Sequence, residues 1–378
     1  MKFGSLLLAG ALLAPALNAA PVDQAKAKVA LSAYAQNVYN AYSDANVKVL
    51  ALQTAVRSFV AAPSAATQEA AKKAWLDSRV VWGQTEVFRF YEGPIDDATY
   101  GVEGLINAWP LDEAYIDYVV GNTSAGIIND VKNFPVINEA ILLGANEAGS
   151  ETNVATGFHA IEFLLWGQDL SQTGPGARPF TDFVVGKGVN AARRATYLTT
   201  VTNLLVKHVA TVKAAWDPAV ATSYGATFAS QDVNEALTKV FKGMSSLLTD
   251  ELAGERMYVG YESKSQEDEH SCFSDNTHVD IIQNVQGVVN VWNGLYGRTQ
   301  GASIKSLVDA PTARRVDRAL ASALSGAQAL PNPFDSLLIA DDESEERKVF
   351  LDTILTIQDA GTAIKSAAEN VDLELPVE

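Results

Sequence analysis

The sequence predicts an all-α protein of two packed helical bundles, with up-and-down helices joined by long loops. In several stretches apolar residues recur at alternating four- and three-residue steps, the pattern of a helix with one buried face. Alternating β patterns are scarce, and long helices joined by loops are typical of up-and-down bundles. The number of predicted helices, in a chain of 378 residues, favours two bundles over one.

Apolar stripes and stop signals place the individual helices. Pro63 ends the first helix, whose stripe consists of Val38, Tyr42, Ala45, Val49, Leu52, Val56 and Phe59. Ser64 or Thr67 can cap a second helix, which we expect to continue to the helix-breaking dipeptide Gly93-Pro94. A later stripe predicts another helix and consists of Ile281, Val285, Val288, Trp292 and Leu295. A final helix is predicted over about 347–370.

The chain divides into a leader and two helical halves. Residues 1–19 contain Lys2, an apolar run and a small residue at the end, which predict a signal peptide cleaved between Ala19 and Ala20. Loops are predicted at 93–107, 170–180 and 262–276. Because the middle loop lies near the centre of the chain, we predict an N-terminal bundle over 20–185 and a C-terminal bundle over 186–378.

Charge and cysteine content limit the function. The formal net charge of −17 repels nucleic-acid phosphates and anionic lipid headgroups but attracts cations, so we expect no nucleic-acid partner. No later segment has about 18 uncharged apolar residues, so no transmembrane helix is predicted. Cys272 is the only cysteine, which excludes an internal disulfide and a lipid-anchoring cysteine behind the signal peptide. We therefore expect a periplasmic or secreted protein.

One histidine and one carboxylate interrupt the apolar run GFHAIEFLLWGQD, residues 157–169. His159 and Glu162 are three residues apart, so a helix places them on one face. Ionisable groups that face a core need partners, which can be a side chain, a metal ion or a substrate. Gly157 indicates close backbone approach or a helix start. The second histidine of the zincin and inverzincin motifs is absent, so the spacing alone does not specify a zinc peptidase.

A stripe of the second predicted helix combines tryptophan with charge. Its members are Trp75, Arg79, Trp82, Glu86 and Arg89. One interpretation is a surface edge in which Glu86 and Arg89 form an ion pair one helical turn apart. The other is a buried functional cluster, since a plain structural stripe would be apolar. The residues alone leave both open.

The segment QEDEHSCFSDNTH, residues 266–278, holds two of the four histidines, the cysteine and four carboxylates. Imidazole together with carboxylate suits iron, zinc or manganese. Glu267 and His270 have the Glu-x-x-His spacing of bundle di-iron sites, although such sites need two pairs of this kind. The alternative is a solvated acidic loop. His208 lies in the helical stretch LLVKHVATV and is predicted to be packed or at the surface.

The motif Gly157-x-His159-x-x-Glu162 resembles the GxHxxE motif of the imelysin family, also classed as M75 peptidases. The similarity extends over most of the mature chain and includes TEVFRFYEGPIDD (85–97) and INAWPLDEAYIDY (106–118). EDEHSCFSDNTH (267–278) is similar to the iron-regulated branch of that family. The resemblance implies a two-bundle helical fold, export to the bacterial envelope and a link to iron uptake. Residues in the matching strings are Glu86, Arg89, Asp96, Trp109 and Asp112.

From the residues and the resemblance together we predict a periplasmic protein of iron uptake or homeostasis that binds iron near the GxHxxE motif, at the junction of the bundles. The predicted metal ligands are His159, Glu162, Glu267, His270 and His278. Residues predicted to contact a bound ligand are Glu86, Arg89, Asp96 and Asp112. The ion is Fe2+ or Fe3+, with zinc as the alternative. Because Arg79 and Arg89 oppose a bare cation, an iron chelate is the second form of cargo.

Two other functions stay open at this point. One is a zinc metallopeptidase of the M75 type, with His159 as a ligand and Glu162 as a ligand or base. The other is a helical interaction module in which these two residues form a hydrogen-bonded pair without metal. The expected protein partner of an iron binder is an envelope iron-transport protein. A single metal site requires His159 to lie within about 10 Å of the 267–278 loop, because ligand bonds are near 2 Å.

Overall fold

Helices dominate the computed structural model, which describes residues 21–297 and 299–376, and the all-α prediction is confirmed. The predicted signal peptide lies outside these residues. In chain order the helices are α1 (Gln24–Ala61), α2 (Ala65–Gly83), α3 (Glu103–Ile106), α4 (Glu113–Ile116), α5 (Gly126–Asn129), α6 (Glu139–Ala145), α7 (Gly157–Trp166), α8 (Ala191–Ala215), α9 (Tyr224–Phe228), α10 (Val233–Ser246), α11 (Val259–Ser263), α12 (Thr277–Asn293), α13 (Ala310–Ala329), α14 (Asp335–Leu338) and α15 (Glu345–Asn370).

Other elements are short, apart from a π-helix over Leu247–Tyr258 that joins α10 to α11 in one continuous helix. The 3₁₀ turns are Glu86–Phe88, Phe180–Phe183, Gln266–Asp268, Cys272–Ser274 and Ile304–Leu307. The strands β1 (Leu295–Tyr296) and β2 (Thr299–Gln300) pair antiparallel. Within the described residues, no helix combines the length and apolar character that crossing a membrane requires.

The first helix and the start of the second follow the sequence prediction. All members of the α1 stripe are buried, with relative exposures of 0–1%. The carboxylate of Asp23 accepts hydrogen bonds from the first backbone N–H groups and so caps α1. Ser64 and Thr67 form a capping box at the start of α2, which satisfies two orphan donors reciprocally.

The second helix ends at Gly83, so its predicted continuation to Gly93-Pro94 is wrong. A Cβ atom at Gly83 would lie 2.8 Å from the Cβ of Gln283, which shows how closely α12 approaches. The carbonyl of Gly83 accepts a hydrogen bond of 3.0 Å from Asn284 Nδ2 instead of continuing the helix. Tertiary packing against α12 therefore ends α2 early, and Glu86 lies on a 3₁₀ turn.

The predicted α12 stripe and C-terminal helix are largely correct. α12 ends at Asn293, and Leu295 lies in β1, because Gly294 adopts a φ of +65° that stops the helix. α15 covers the region predicted for the last helix. α1 packs against α2 and α8, and α15 packs against α10, α13 and the π-helix. The division after residue 185 stays a prediction, although α8, beyond it, packs on α1 and α7.

The motif helix α7 lies at the centre of this arrangement. Each of its residues is buried, as expected for a helix that is apolar all round. It contacts α2, α3, α8 and the 272–274 turn. The GxHxxE motif is therefore presented to buried neighbours rather than to an open surface.

Candidate metal centre

Gly157 begins the motif helix with a φ of +87°, a conformation that favours glycine. A Cβ at this position would lie 2.5 Å from the backbone oxygen of Ile106. Both features that the sequence suggested, a helix start and close backbone approach, are present. Two residues later, His159 Nδ1 lies 2.9 Å from Glu162 Oε2, so the two side chains share a face as predicted.

The two motif segments meet in space. The rings of His159 and His270 form an edge-to-face pair whose centroids are 4.8 Å apart. Glu162 Oε1 accepts hydrogen bonds from the backbone N–H and the hydroxyl of Ser274, at 3.0 and 2.6 Å. The 267–278 loop therefore meets the distance requirement for contributing to one site with His159.

Both histidine rings are held in the same way. His159 Nδ1 is bound to Glu162, and His270 Nδ1 lies 2.8 Å from Asp280 Oδ2. The Nε2 atom of each ring is buried and has no hydrogen-bond partner among the described residues. Metal-binding histidines commonly donate one ring N–H to a carboxylate and offer the other nitrogen to the ion. The two rings therefore have the carboxylate support that is common for metal-binding histidines, and their Nε2 atoms are the candidate ligands.

Burial sets the protonation of this pair. Desolvation, followed by the charge of Arg256, lowers the pKa of His270 to about 4. Desolvation also lowers the pKa of His159 well below its usual value. Metal binding requires neutral imidazole, and both rings are neutral at pH 7. Burial raises the pKa of Glu162 to about 8 in the absence of a cation.

Asp280 holds the histidine site to the second helix. Its carboxylate accepts two hydrogen bonds from Arg79, at 3.2 and 3.0 Å, and both side chains are 1% exposed. Burial would raise the pKa of Asp280, but Arg79 and His270 lower it well below its usual value. Arg79 Nη1 also donates to Asn107 Oδ1. The bidentate ion pair of Arg79 and Asp280 connects α2 to α12 beside the histidines.

The charged stripe of Trp75, Arg79, Trp82, Glu86 and Arg89 belongs to a buried cluster, not to a surface edge. Glu86 is 1% exposed, and its Oε2 accepts hydrogen bonds of 2.7 Å from both Arg89 Nη1 and Arg256 Nη2. Desolvation opposes the charged form of Glu86, yet Arg256 and Arg89 lower its pKa to about 2. Glu86 is consequently a charged anchor for two guanidinium groups.

The π-helix supplies residues that sequence analysis missed. Arg256 donates to Glu251 Oε1, five positions earlier, at 2.9 and 2.7 Å, and to Asn284 Oδ1 at 3.0 Å. An i, i+5 pair lies about one turn apart in a π-helix, whereas an α-helical pattern separates the two faces. π-Helical segments are frequent at functional sites. No apolar periodicity would have indicated this one.

A cleft of about 350 Å³ reaches His270, one member of the histidine pair. Its lining includes His270 and Trp109, and the Trp109 ring packs edge-to-face on His270 with centroids 5.5 Å apart. The charged residues of the lining are Arg89, Arg256, Glu103, Glu147, Glu151, Glu251 and Glu255. Carboxylates outnumber guanidiniums, and both guanidiniums are already paired with Glu86. The cleft therefore attracts cations.

The sequence model of the imelysin family, peptidase M75, matches residues 38–359. This chain belongs to the imelysin family. The resemblance inferred from the GxHxxE motif is thereby confirmed. One relative, Iron-regulated protein A of Synechococcus elongatus, is 27% identical over 331 residues, covering 86% of this chain and 79% of that protein.

Two solved structures share the imelysin-like fold. A putative iron-regulated protein A precursor from Parabacteroides distasonis has a TM-score of 0.70 at 16% identity, covering 93% of this chain and 98% of that one. An imelysin-like protein from Psychrobacter arcticum has a TM-score of 0.68 at 14% identity, covering 95% of this chain and 99% of that one. At these identities the similarity shows the fold alone.

Several predicted site residues of this imelysin-family chain lie outside the histidine cluster. Glu267 is exposed on a 3₁₀ turn, and the backbone is extended at Glu269, so Glu267 and His270 do not form a helical Glu-x-x-His pair. The Nδ1 group of half-buried His278 donates to the Asp275 carbonyl at 3.2 Å. Asp112 is exposed and caps α4. The binding roles of these residues stay predictions.

Asp96 has a structural position in the 93–107 loop. Its carboxylate accepts hydrogen bonds from the backbone N–H groups of Phe90 and Gly93. Desolvation raises its pKa. These contacts fix the turn that follows Arg89. Asp96 therefore stabilises the backbone turn next to Arg89, which lines the cleft. A direct role of Asp96 in ligand binding stays a prediction.

Asp280 is a residue of the candidate site that the sequence could have revealed. It lies four positions before Asn284 on the face of α12 that also carries Ile281 and Val288, and all four are buried. Polar groups on an apolar helical stripe are the same signal that identified His159 and Glu162. Asn107 gives no such signal, because it follows the short helix α3 in a loop whose course the sequence does not indicate.

Proposed function

We propose that this imelysin-family protein binds iron(II) through His159 and His270, at the inner end of the acidic cleft. The supporting observation is that each buried ring has Nδ1 bound to a carboxylate and an Nε2 that no group in the described part of the chain contacts by a hydrogen bond. Imidazole ligands with nearby carboxylates suit iron(II). The name of the relative Iron-regulated protein A supports iron over other ions of similar preference.

The charge distribution favours a bare ion over an iron chelate. Arg79 is bound by Asp280, and Arg89 lies within 3.3 Å of both Glu86 and Glu103. Guanidiniums that are neutralised in this way offer little attraction to an anionic chelate. The cleft carboxylates, in contrast, raise the local concentration of cations. We therefore assign the free or aquo ion as the cargo.

Glu162 positions His159 in this proposal. One carboxylate oxygen is bound to His159, and the other accepts two hydrogen bonds from Ser274. A hydrogen-bonded carboxylate of this kind fixes ring orientation and raises ligand basicity. With both oxygens engaged, Glu162 is poorly placed to act as a general base on a metal-bound water. This arrangement favours a binding protein over a metallopeptidase.

Anaerobic calorimetric titration of the mature protein with iron(II) tests the proposal. We expect saturable binding that the His159→Ala and His270→Ala variants lose. His208→Ala is the matched control, because His208 is also buried but lies on α8. Equal binding by the parent and both site variants would contradict the assignment, as would an absence of binding in all of them.

A peptidase assay separates the alternative function. The zinc-loaded protein is incubated with a mixed peptide library, with and without chelator. We expect no chelator-sensitive cleavage. Cleavage that His159→Ala abolishes would replace the binding function with a hydrolytic one at the same residues.

We also propose that the protein acts in the periplasm after removal of residues 1–19. The predicted signal peptide and the family's similarity to iron-regulated proteins support this location. Cell fractionation followed by N-terminal mass spectrometry should recover a chain that begins at Ala20 in the periplasmic fraction. Recovery of the uncleaved chain in the cytoplasm would contradict it.

A further inference from the structure

A second group of carboxylates lies on the other side of the same loop. We call it the acidic pocket and define it by Asp169, Glu269, Asp275 and Asp335. One carboxylate oxygen from each of Asp169, Asp275 and Asp335 lies within 4.8 Å of the other two. Their relative exposures are 9%, 8% and 0%, and Glu269 is 0% exposed. None of these residues belongs to the histidine pair.

Glu269 distinguishes this pocket from an ordinary acidic patch. It is fully buried beside Asp335, Asp275 and the Thr277 hydroxyl, and among the described residues neither of its oxygens has a hydrogen-bond partner of good geometry. Asp169, Asp275 and Asp335 each have one buried carboxylate oxygen that likewise lacks a hydrogen-bond partner among the described residues. Among the described residues, the buried and unpartnered oxygens of the pocket are Asp169 Oδ2, Glu269 Oε1, Glu269 Oε2, Asp275 Oδ1 and Asp335 Oδ2.

The hydrogen-bond donors of the pocket are neutral, and none of the charges that most strongly affect its carboxylates comes from a basic residue. Asp335 Oδ1 accepts from Gln266 Nε2 at 2.8 Å, and Asp169 Oδ1 accepts from the backbone N–H of Ser171 at 2.8 Å. The charges that act on Asp169, Glu269 and Asp275 are those of other pocket carboxylates. Burying several carboxylates without a counter-charge is costly unless protons or a cation neutralise them.

We propose that the acidic pocket binds a hard divalent cation of the calcium class. The potential ligands are all oxygens, which selects hard ions over those that prefer imidazole or thiolate. Ca²⁺ takes six to eight oxygens at about 2.3–2.6 Å, so two opposite ligands lie about 5 Å apart. One oxygen from each of Asp169, Asp275 and Asp335 lies within that span, and Glu269 or water molecules would complete such a coordination shell.

The cation would connect three segments that the chain brings together from a distance. Asp169 follows α7, Asp275 lies in the 262–276 loop, and Asp335 begins α14. Because the backbone is extended at Glu269, that side chain and His270 face opposite sides of the loop. The pocket is therefore separate from the histidine site but holds the loop that carries His270. The inference does not depend on iron binding.

Thermal unfolding of chelator-treated protein, with and without Ca²⁺, tests the pocket. We expect Ca²⁺ to raise the Tm of the parent protein by several degrees, because a ligand that binds only the folded state stabilises it. Asp335→Asn should lose this rise and, lacking one buried charge, should unfold at a higher temperature than the parent in chelator. Asp352→Asn, an exposed substitution on α15, is the matched control and should keep the rise.

Two further variants make the outcome decisive. Asp169→Asn lies at the less buried edge of the pocket and should also lose the Ca²⁺ rise, which covers the case in which Asp335→Asn fails to fold. His159→Ala should keep the rise while losing iron(II) binding, so the two proposals fail separately. No Ca²⁺-dependent shift in the parent would overturn the inference, as would a shift that persists in both pocket variants.

Discussion

His159 and His270 come from different halves of the chain, yet their ring centroids lie 4.8 Å apart. Each ring is held at Nδ1 by a carboxylate, Glu162 for the first and Asp280 for the second. Each leaves a buried Nε2 that has no hydrogen-bond partner within residues 21–297 and 299–376. The two rings therefore depend on their supporting carboxylates for orientation, and this dependence can be tested separately from the ligands themselves.

Replacing Glu162 by glutamine should weaken metal binding without removing a ring nitrogen. If the amide oxygen keeps its hydrogen bonds from Ser274, the amide nitrogen faces His159 Nδ1 and can only donate to it. That donation places the ring proton on Nε2, so His159 is held in the tautomer that cannot bind a metal ion. Loss of such a supporting carboxylate costs about 10–100-fold in metal affinity. Calorimetry of Glu162→Gln and of the exposed control Glu69→Gln measures the effect. Equal affinities of the two variants would show that Glu162 does not orient the ring.

Replacing Asp280 by asparagine should destabilise the fold. The change removes the charge that compensates buried Arg79 and the acceptor of His270 Nδ1. Breaking a buried ion pair from one side costs about 3–5 kcal/mol. Urea unfolding gives the free energy of unfolding. Asp77→Asn is the control, because Asp77 pairs with Lys73 at the surface and its loss should cost less than about 1 kcal/mol. Similar losses in both variants would contradict the assignment.

The pKa of Glu86 predicts how stability depends on pH. Desolvation opposes the charged form, but Arg256 and Arg89 lower the pKa from 4.5 to about 2. Because the unfolded chain then binds the proton more tightly, the stabilisation is fully present above about pH 4.5 and is lost as the pH falls toward 2. A shift of this size corresponds to about 3 kcal/mol.

The difference in unfolding free energy between the parent and Glu86→Gln measures this contribution. We expect it to stay constant from pH 7 to about pH 5 and to shrink below about pH 4.5. Glu69→Gln is the control, because the Glu69 side chain is 70% exposed and its pairing with Lys72 contributes little. A difference that does not change with pH would show that Glu86 acts through packing rather than charge.

Gly157→Ala should destabilise the protein because the position combines a φ of +87° with a backbone oxygen 2.5 Å from the new Cβ. Backbone strain of this kind costs roughly 1–3 kcal/mol, and the close contact adds to it. Gly144→Ala is the matched control within α6. It meets no atom within 4 Å and should stabilise the helix by about 0.5–1 kcal/mol. Thermal unfolding that shows the same sign for both would contradict this explanation.

The sequence by itself predicted the all-helical fold and the pairing of His159 with Glu162, since both follow from local periodicity. The i, i+3 spacing determines that the two side chains share a face, whatever lies opposite. The same local reasoning placed α1 and its stop at Pro63. It failed for α2, because Gly83 ends that helix through contact with α12, which no local pattern records.

Only the tertiary structure decided which residues from distant segments contact the GxHxxE motif and its neighbours. It brought His270 to His159, Asp280 to Arg79 and the π-helical Arg256 to Glu86. The extended backbone at Glu269 also divided one acidic loop between an imidazole site and a carboxylate pocket. These relationships depend on packing between segments far apart in the chain, whereas helix formation depends on neighbours within a few residues. The residues supplied the chemical groups, and long-range packing selected which of them act together.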